Sequence, residues 1–278
     1  MKAIVLVVFQ YLLPRHWLTA VSYRIARIRN RRVKDFLITQ FVRVFDVDLD
    51  EVRLDVPGDF ATFNEFFVRE LKDDARKIDD DNDEIISPVD GTVSFAGTIR
   101  GDSIFQAKGF DYSLGDLLAT DLEEVERYID GNFATIYLAP YNYHRVHAPL
   151  AGELVAARYV PGDLFSVNEA TVTKLNGLFR RNERLIMHFR TAHGPAALIL
   201  VGALNVGSIS TPWTGEVRPR KSGVVDVLDI SKYPTQVAKG DLLGWFNMGS
   251  VSYTHLTLPT TIKPCSCRWS ACHLQRGG

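Results

Sequence analysis

The chain has 278 residues, a formal net charge of −1, 46% hydrophobic residues and 23% charged ones. This balance excludes disordered, collagen-like and coiled-coil chains, and the near-zero charge argues against a general nucleic-acid binder. No apolar run reaches the roughly 18 residues that a transmembrane helix needs.

The run from Ala3 to Phe9 is strongly apolar and closes at Pro14. A signal peptide would begin this way, but no small-x-small cleavage site follows. Through position 45 there are nine Lys and Arg residues and one acid, Asp35. Trp17, Leu18, Val21, Ile25 and Ile28, then Val33, Phe36, Leu37 and Phe41, recur at helical spacing among them. A basic amphipathic arm with aromatics suits the surface of an anionic membrane. Residues 46–59 are acidic and turn-rich, a join between arm and body. Thr62 then precedes Phe63-Asn64-Glu65-Phe66-Phe67, a polar cap and apolar residues that predict a short helix. The charged stretch 72–84 predicts an exposed loop.

From Ile85 the pattern turns to strands. Pro88-Val89-Asp90-Gly91, Pro149-Leu150-Ala151-Gly152 and Pro212-Trp213-Thr214-Gly215 share one form, each a turn feeding a strand. Lys239-Gly240-Asp241 predicts a fourth turn. Further strands are expected over 197–201 and 224–228, and one helix over 114–128. Such turns recur in sandwich and flattened-barrel domains, lipoyl and biotinyl carriers among them, but the modifiable lysine of those carriers is missing here. The fold class expected is α+β: a β-rich sandwich or flattened-barrel body with an N-terminal helical, membrane-associated arm.

Reactive residue types gather in three places: Asp90, the segment Tyr143-His144-Arg145-Val146-His147-Ala148-Pro149, and Met248-Gly249-Ser250. The segment holding both histidines follows an apolar strand and ends at a proline, so it is expected to be extended. An extended chain sends His144 and His147 to opposite faces, which argues against a shared metal. Asp90, His147 and Ser250 are the residue types of an acid–base–nucleophile set, which spacing permits and does not show. Asp before Gly and Gly before Ser are also ordinary turn and strand-end pairs.

The segment from Tyr143 to Pro149 and Tyr159-Val160-Pro161-Gly162-Asp163-Leu164-Phe165-Ser166-Val167-Asn168 closely resemble bacterial phosphatidylserine decarboxylase. So do Thr62-Phe63-Asn64-Glu65-Phe66-Phe67-Val68-Arg69, Gln106-Ala107-Lys108-Gly109 and Leu178-Phe179-Arg180-Arg181-Asn182-Glu183-Arg184. The resemblance implies a proenzyme that cuts itself at Gly249–Ser250 and turns the serine into a pyruvoyl cofactor. It implies Asp90, His147 and Ser250 as the self-cleavage triad and His144 as the histidine of decarboxylation. It implies Phe165, Ser166 and Asn168 as lining for the substrate, phosphatidylserine, which becomes phosphatidylethanolamine. The partners it implies are an anionic membrane surface and the chain's own small subunit after cleavage, and it is compatible with a homodimer. The implied location is the cytoplasmic side of the cell membrane, attached peripherally. Two alternatives stand beside it: a catalytically dead truncated relative, and a non-catalytic β-sandwich carrier or binding domain.

The string from Val251 to Thr260 reads as the translation of a transposon-type sequencing adapter, where the family has a different continuation after the serine. The three cysteines, Cys265, Cys267 and Cys272, all lie beyond Ser250. The expected organisation is therefore 1–59 arm, 60–250 catalytic body and 251–278 non-native tail. Such a tail is expected to pack loosely and to leave the body without its last strand.

Overall fold

A computed structural model of the chain describes residues 10–11, 13–107, 110–204, 208–248 and 252–258. The cleavage pair Gly249 and Ser250, the apolar run 1–9, Lys108 and Gly109, and the three cysteines lie outside the described residues.

Helix α1 (Arg15–Ala26) begins after Pro14, and α2 (Arg31–Phe45) begins at Asn30. The Asn30 side chain accepts hydrogen bonds from the backbone N–H groups of Arg32 and Val33, at 3.1 and 3.3 Å. These are donors that a helix start leaves unpaired. The predicted short helix is α3 (Phe63–Phe67), with Thr62 accepting from the Glu65 N–H at 3.1 Å. Arm and α3 close over a core of Ala26, Ile38, Phe60, Phe63, Phe66 and Phe67. Phe41 of α2 sits edge-on to Phe63, 5.2 Å between ring centroids.

The body is layered. Its large sheet runs β1 (Thr92–Thr98), β4 (Asn132–Leu138), β14 (Ser252–Leu258), β8 (Gly194–Val201), β7 (Arg184–Thr191), β6 (Gly152–Val160) and β11 (Asp226–Val227), with β12 (Gln236–Val237) also on β6. A smaller sheet runs β10 (Gly215–Val217), β9 (Ile209–Thr211), β13 (Leu242–Phe246) and β5 (Arg145–His147). Alternation along β8 shows how the layers are glued, because successive side chains of a strand point to opposite faces. Leu198 and Leu200 join Val146, Ile209, Leu243 and Phe246 in a core between the two sheets. Ala197, Ile199 and Val201 join a second core on the other face. That core is covered by a β-hairpin, β2 (Ser103–Ala107) and β3 (Phe110–Ser113), and by the short helices α4 (Leu114–Leu118), α5 (Leu122–Glu126), α6 (Glu169–Val172) and α7 (Leu178–Arg181). The α+β expectation holds, with open sheets rather than a closed barrel.

Three expectations need correction. The helix expected over 114–128 is two helices, because Ala119 takes a left-handed conformation and Asp121 caps a fresh start through the Glu124 N–H. Among the three Pro-x-x-Gly turns, only Gly215 needs a positive φ, at 66°. At Gly91 and Gly152 the need is space: a Cβ would stand 2.6 Å from the Tyr137 carbonyl oxygen and 2.8 Å from that of Arg190. Finally, Ser252–Leu258 does not hang loose. It is β14, seated between β4 and β8, with Leu256 in the inter-sheet core and Thr257 fully buried. The threonines and aromatic of this stretch are good strand formers, which a pleated slot between two strands accepts.

Candidate active site

The smaller sheet positions the histidines. In β5, Arg145 and His147 pair with Trp245 and Leu242 of β13, across a register shift between Leu242 and Gly244. The His147 N–H donates to the Pro88 carbonyl at 2.8 Å, which ties β5 to the turn carrying Asp90. Val146 is buried between the sheets, so its neighbours face away from that core.

The two histidines enter different surroundings, as an extended chain requires. The His147 Nδ1–H donates to the Gly240 carbonyl at 2.7 Å, and the Tyr143 hydroxyl lies 3.0 Å from Nε2, with the rings stacked. This assigns the proton to Nδ1 and leaves the Nε2 lone pair as the accepting site. Burial lowers the pKa of His147, and Arg145 adds to the effect against the opposing influence of the Gly240 hydrogen bond and Asp90. The imidazole is therefore neutral near pH 7, the state of a base. Burial raises Tyr143 to about 12, so its hydroxyl keeps its proton.

Asp90 is buried and is gripped by Arg76, whose Nη2 and Nε approach the carboxylate at 2.5 and 3.1 Å. Glu51 holds the other side of the same guanidinium at 2.7 Å. Burial works against the Arg76 charge, but these hydrogen bonds outweigh it and hold its pKa above the arginine norm. The bond that orients His147 at Nδ1 thus comes from Gly240, and Asp90 acts on His147 through its charge. A cleft of about 260 Å³ opens here, lined by Arg53, Glu70, Arg76, Tyr143, Arg145 and His147.

His144 is fully buried. Its Nδ1–H donates to the Asn142 carbonyl at 2.8 Å, and its ring lies 3.9 Å from that of Phe67. Burial, and after it the nearby Arg69 charge, lower its pKa to about 3. Arg69 and Arg76 went unnoticed as site residues in the sequence. Only the position of Arg69 at the end of the motif that opens at Thr62 could have pointed to it.

Asn64 was also missed. Its amide donates to Asn247 Oδ1 at 3.1 Å, and its oxygen accepts from the Met248 N–H at 2.7 Å. Asn247 in turn donates to Ser210 Oγ at 2.8 Å. The chain immediately before Gly249 is thereby clamped to α3 and β9. Beside it lies an almost wholly apolar groove of about 300 Å³, lined by Ser22, Ile25, Leu37, Phe41, Val44 and Met248.

Phe165, Ser166 and Asn168 sit elsewhere, over the second core. The Phe165 ring is buried 3.8 Å beneath the Arg15 guanidinium, and the Ser166 N–H donates to Gln10 Oε1 at 2.8 Å. Asn168 Oδ1 accepts from the Thr171 N–H at 3.0 Å and so starts α6. This loop engages the N-terminal arm, whereas Val146, between the two histidines, belongs to the core between the sheets.

Comparison with known proteins adds the following. A family model described as phosphatidylserine decarboxylase matches residues 63–265, and a second, described as PSD, matches residues 5–46. The chain is 46% identical over 245 residues to the phosphatidylserine decarboxylase proenzyme of Alcanivorax borkumensis, covering 88% of this chain and 84% of that one. It is 45% identical over 262 residues to that of Methylococcus capsulatus, covering 94% and 89%. With that of Alkalilimnicola ehrlichii it shares 43% over 270 residues, covering 96% and 92%. The first match continues past Ser250 and includes β14.

Proposed function

The chain belongs to the phosphatidylserine decarboxylase family, and from that premise we propose that it cuts itself at Gly249–Ser250 and converts phosphatidylserine to phosphatidylethanolamine. One observation supports the reading most: the extended segment through β5 places a neutral, cleft-facing His147 and, just ahead of the strand, a wholly buried His144 in separate surroundings, as two separate tasks require.

In the first task Ser250 Oγ attacks the Gly249 carbonyl carbon while His147 Nε2 accepts the hydroxyl proton. The Asp90 charge favours the imidazolium that results, and Arg76 holds Asp90 in position. The Asn64 clamp on Asn247 and Met248 limits the freedom of the strand leading to the bond, which is how positioning lowers a barrier. The peptide bond is exchanged for an ester. Loss of the serine Cα proton then breaks the Cβ–O bond and frees the Gly249 carboxylate, which divides the chain covalently into large and small subunits. The new serine-derived N-terminus takes up water and releases ammonia.

In the second task the serine-derived pyruvoyl group supplies an electron sink that takes up the charge left when carbon dioxide departs. The chain's residues fit such a group. His144 Nε2 is buried with no hydrogen-bond partner among the described residues, a polar atom ready for a reacting head. His144 serves the decarboxylation, excluded from water by Phe67.

The arm serves lipid access. Trp17, Phe36 and Val44 are 62, 63 and 69% exposed, among nine basic residues. No helix among the described residues is long and apolar enough to cross a membrane. The arm therefore rests on an anionic bilayer at its cytoplasmic face, and the apolar groove beside Met248 takes acyl chains. Phe165 and Ser166, implied by the resemblance as substrate lining, meet the arm at Arg15 and Gln10. The division into arm 1–59 and body 60–250 follows this separation of lipid attachment from chemistry.

The reading of 251–278 as a non-native tail rests on its adapter-like string. Amplifying the locus from source DNA tests it: codons for this stretch followed by a stop would refute it. The function itself is tested by intact mass after expression with an N-terminal tag, together with phosphatidylethanolamine formation. Two fragments that separate at Ser250, and product from phosphatidylserine, are expected. A single uncut chain with no product would overturn the reading.

A further inference from the structure

Arg69 is a buried cation with unspent donors. It follows α3, is 4% exposed, and lies 5.3 Å from the Phe66 ring. Its Nη2 donates to the Tyr141 carbonyl at 3.0 Å and reaches the Asn142 carbonyl at 3.5 Å. Among the described residues its Nε and Nη1 have no hydrogen-bond partner. Burial lowers its pKa to about 10, which still leaves it charged. His144 Nδ1 meets the same Asn142 carbonyl, so the guanidinium and the imidazole converge on one backbone group. Two guanidinium nitrogens and one bare ring nitrogen are thus left unsatisfied on side chains that share one backbone acceptor. Leaving buried polar groups unpaired is costly, and natural structures keep such groups for a ligand or a reaction.

The unmet needs describe a ligand. The donors call for an anion, and the bare His144 nitrogen calls for an N–H. A carboxylate and an amine on one carbon, an α-amino acid head, satisfies both. We propose that Arg69 and His144 form the receptor for the amino-acid end of the substrate, Arg69 holding the carboxylate and His144 Nε2 accepting from the amine. This assignment rests on the reading that the chain acts on phosphatidylserine. The phosphodiester fits the site less well. It is tethered on both sides and sits mid-head, whereas the carboxylate is terminal and reaches the deepest point. Arg69 then fixes which bond on the reacting carbon is presented for cleavage. Loss of carbon dioxide removes the anion, so the product leaves behind a guanidinium with no partner and is bound more weakly than the substrate.

The test compares two soluble heads, glycerophosphoserine and glycerophosphoethanolamine, which differ by the carboxylate alone. Binding of each to the purified chain is measured by calorimetry, beside intact mass as the readout of self-cleavage. Arg69→Gln should still cut itself, lose about 10- to 100-fold in affinity for glycerophosphoserine and keep its affinity for glycerophosphoethanolamine. KM for phosphatidylserine should rise accordingly. Equal losses for both ligands would place the guanidinium on the phosphate and overturn the proposal, as would no loss for either. A folded Arg69→Gln chain that fails to cut itself would assign Arg69 to processing and overturn it too. If Arg69→Gln does not fold, Arg69→Lys keeps the charge, and its preference for the serine head should fall below that of the unaltered chain. An unchanged preference would refute the assignment. An unaltered chain that stays uncut counts against the function reading alone, since its ligand preference still reports on Arg69.

Discussion

At the scale of single residues, the two histidines should be separable. His147→Ala removes the proposed base and should leave one uncut chain, whereas His144→Ala should still cut itself but release no carbon dioxide. Gel mobility and carbon dioxide capture measure the two reactions, and equal loss of cutting in both variants would defeat the division. A second residue makes a pH prediction. Glu183 is fully buried, and the Tyr159 hydroxyl donates to it at 2.6 Å. Burial raises its pKa to about 8, against the opposing effect of that hydrogen bond. A raised folded pKa means that folding favours the protonated acid. Its stabilisation is complete below the ordinary carboxyl pKa and is lost as pH rises through about 8. A tenfold change in proton affinity is worth about 1.4 kcal/mol, so the loss is on the order of a few kcal/mol. Tm of the unaltered chain should fall between pH 6 and 9, and Glu183→Gln should flatten that fall. A parallel fall in both would show that Glu183 is not its source.

At the scale of elements, β14 bears the strongest prediction. Leu256 is 4% exposed in the core between the sheets, so Leu256→Ala should cost about 2–5 kcal/mol, read by urea unfolding. A cost near zero would mean that the strand does not occupy this slot. Elements also show what the sequence could convey. The cap at Thr62 and the extended histidine segment were legible, because both follow from neighbours in the chain. The break between α4 and α5 had a local signal too, Asp121 three residues before Glu124, masked by the continuous apolar spacing. The partners of the site residues carried no such signal. Arg69 reaches Asn142 across 73 residues and Asn64 reaches Asn247 across 183, distances that only folding closes. The slot of β14 was hidden for the same reason: its neighbours β4 and β8 lie far upstream, and the adapter-like reading of the string gave no hint that it could fill a place between them.

At the scale of the whole molecule, a basic, aromatic arm packs on the body through the phenylalanine core around Phe63, so the proposed lipid attachment and the chemistry share one support. Binding to anionic vesicles should weaken with salt, leaving a residual part that Trp17→Ala and Phe36→Ala reduce. Sedimentation with anionic and neutral vesicles across ionic strength measures both parts, and equal binding to the two lipids would exclude the electrostatic one.

The position of β14 has a further bearing on what the cut does. Its backbone is paired along seven positions with β4 and along five with β8, while the proposed scissile bond lies just upstream of it in the chain. The proposed opening of the ester would nick the polypeptide while this strand pairing keeps both pieces together. Before the nick, folding is a first-order event of one chain. Afterwards the same architecture can be regained only by encounter of two molecules, so recovery from denaturant becomes second order. Mature protein diluted out of urea should regain structure more slowly as it is diluted further, while the uncut Ser250→Ala chain should show no such dependence. Cleavage at the proposed bond would thus work as a ratchet: it would leave the folded state in place and take away the unimolecular road back to it.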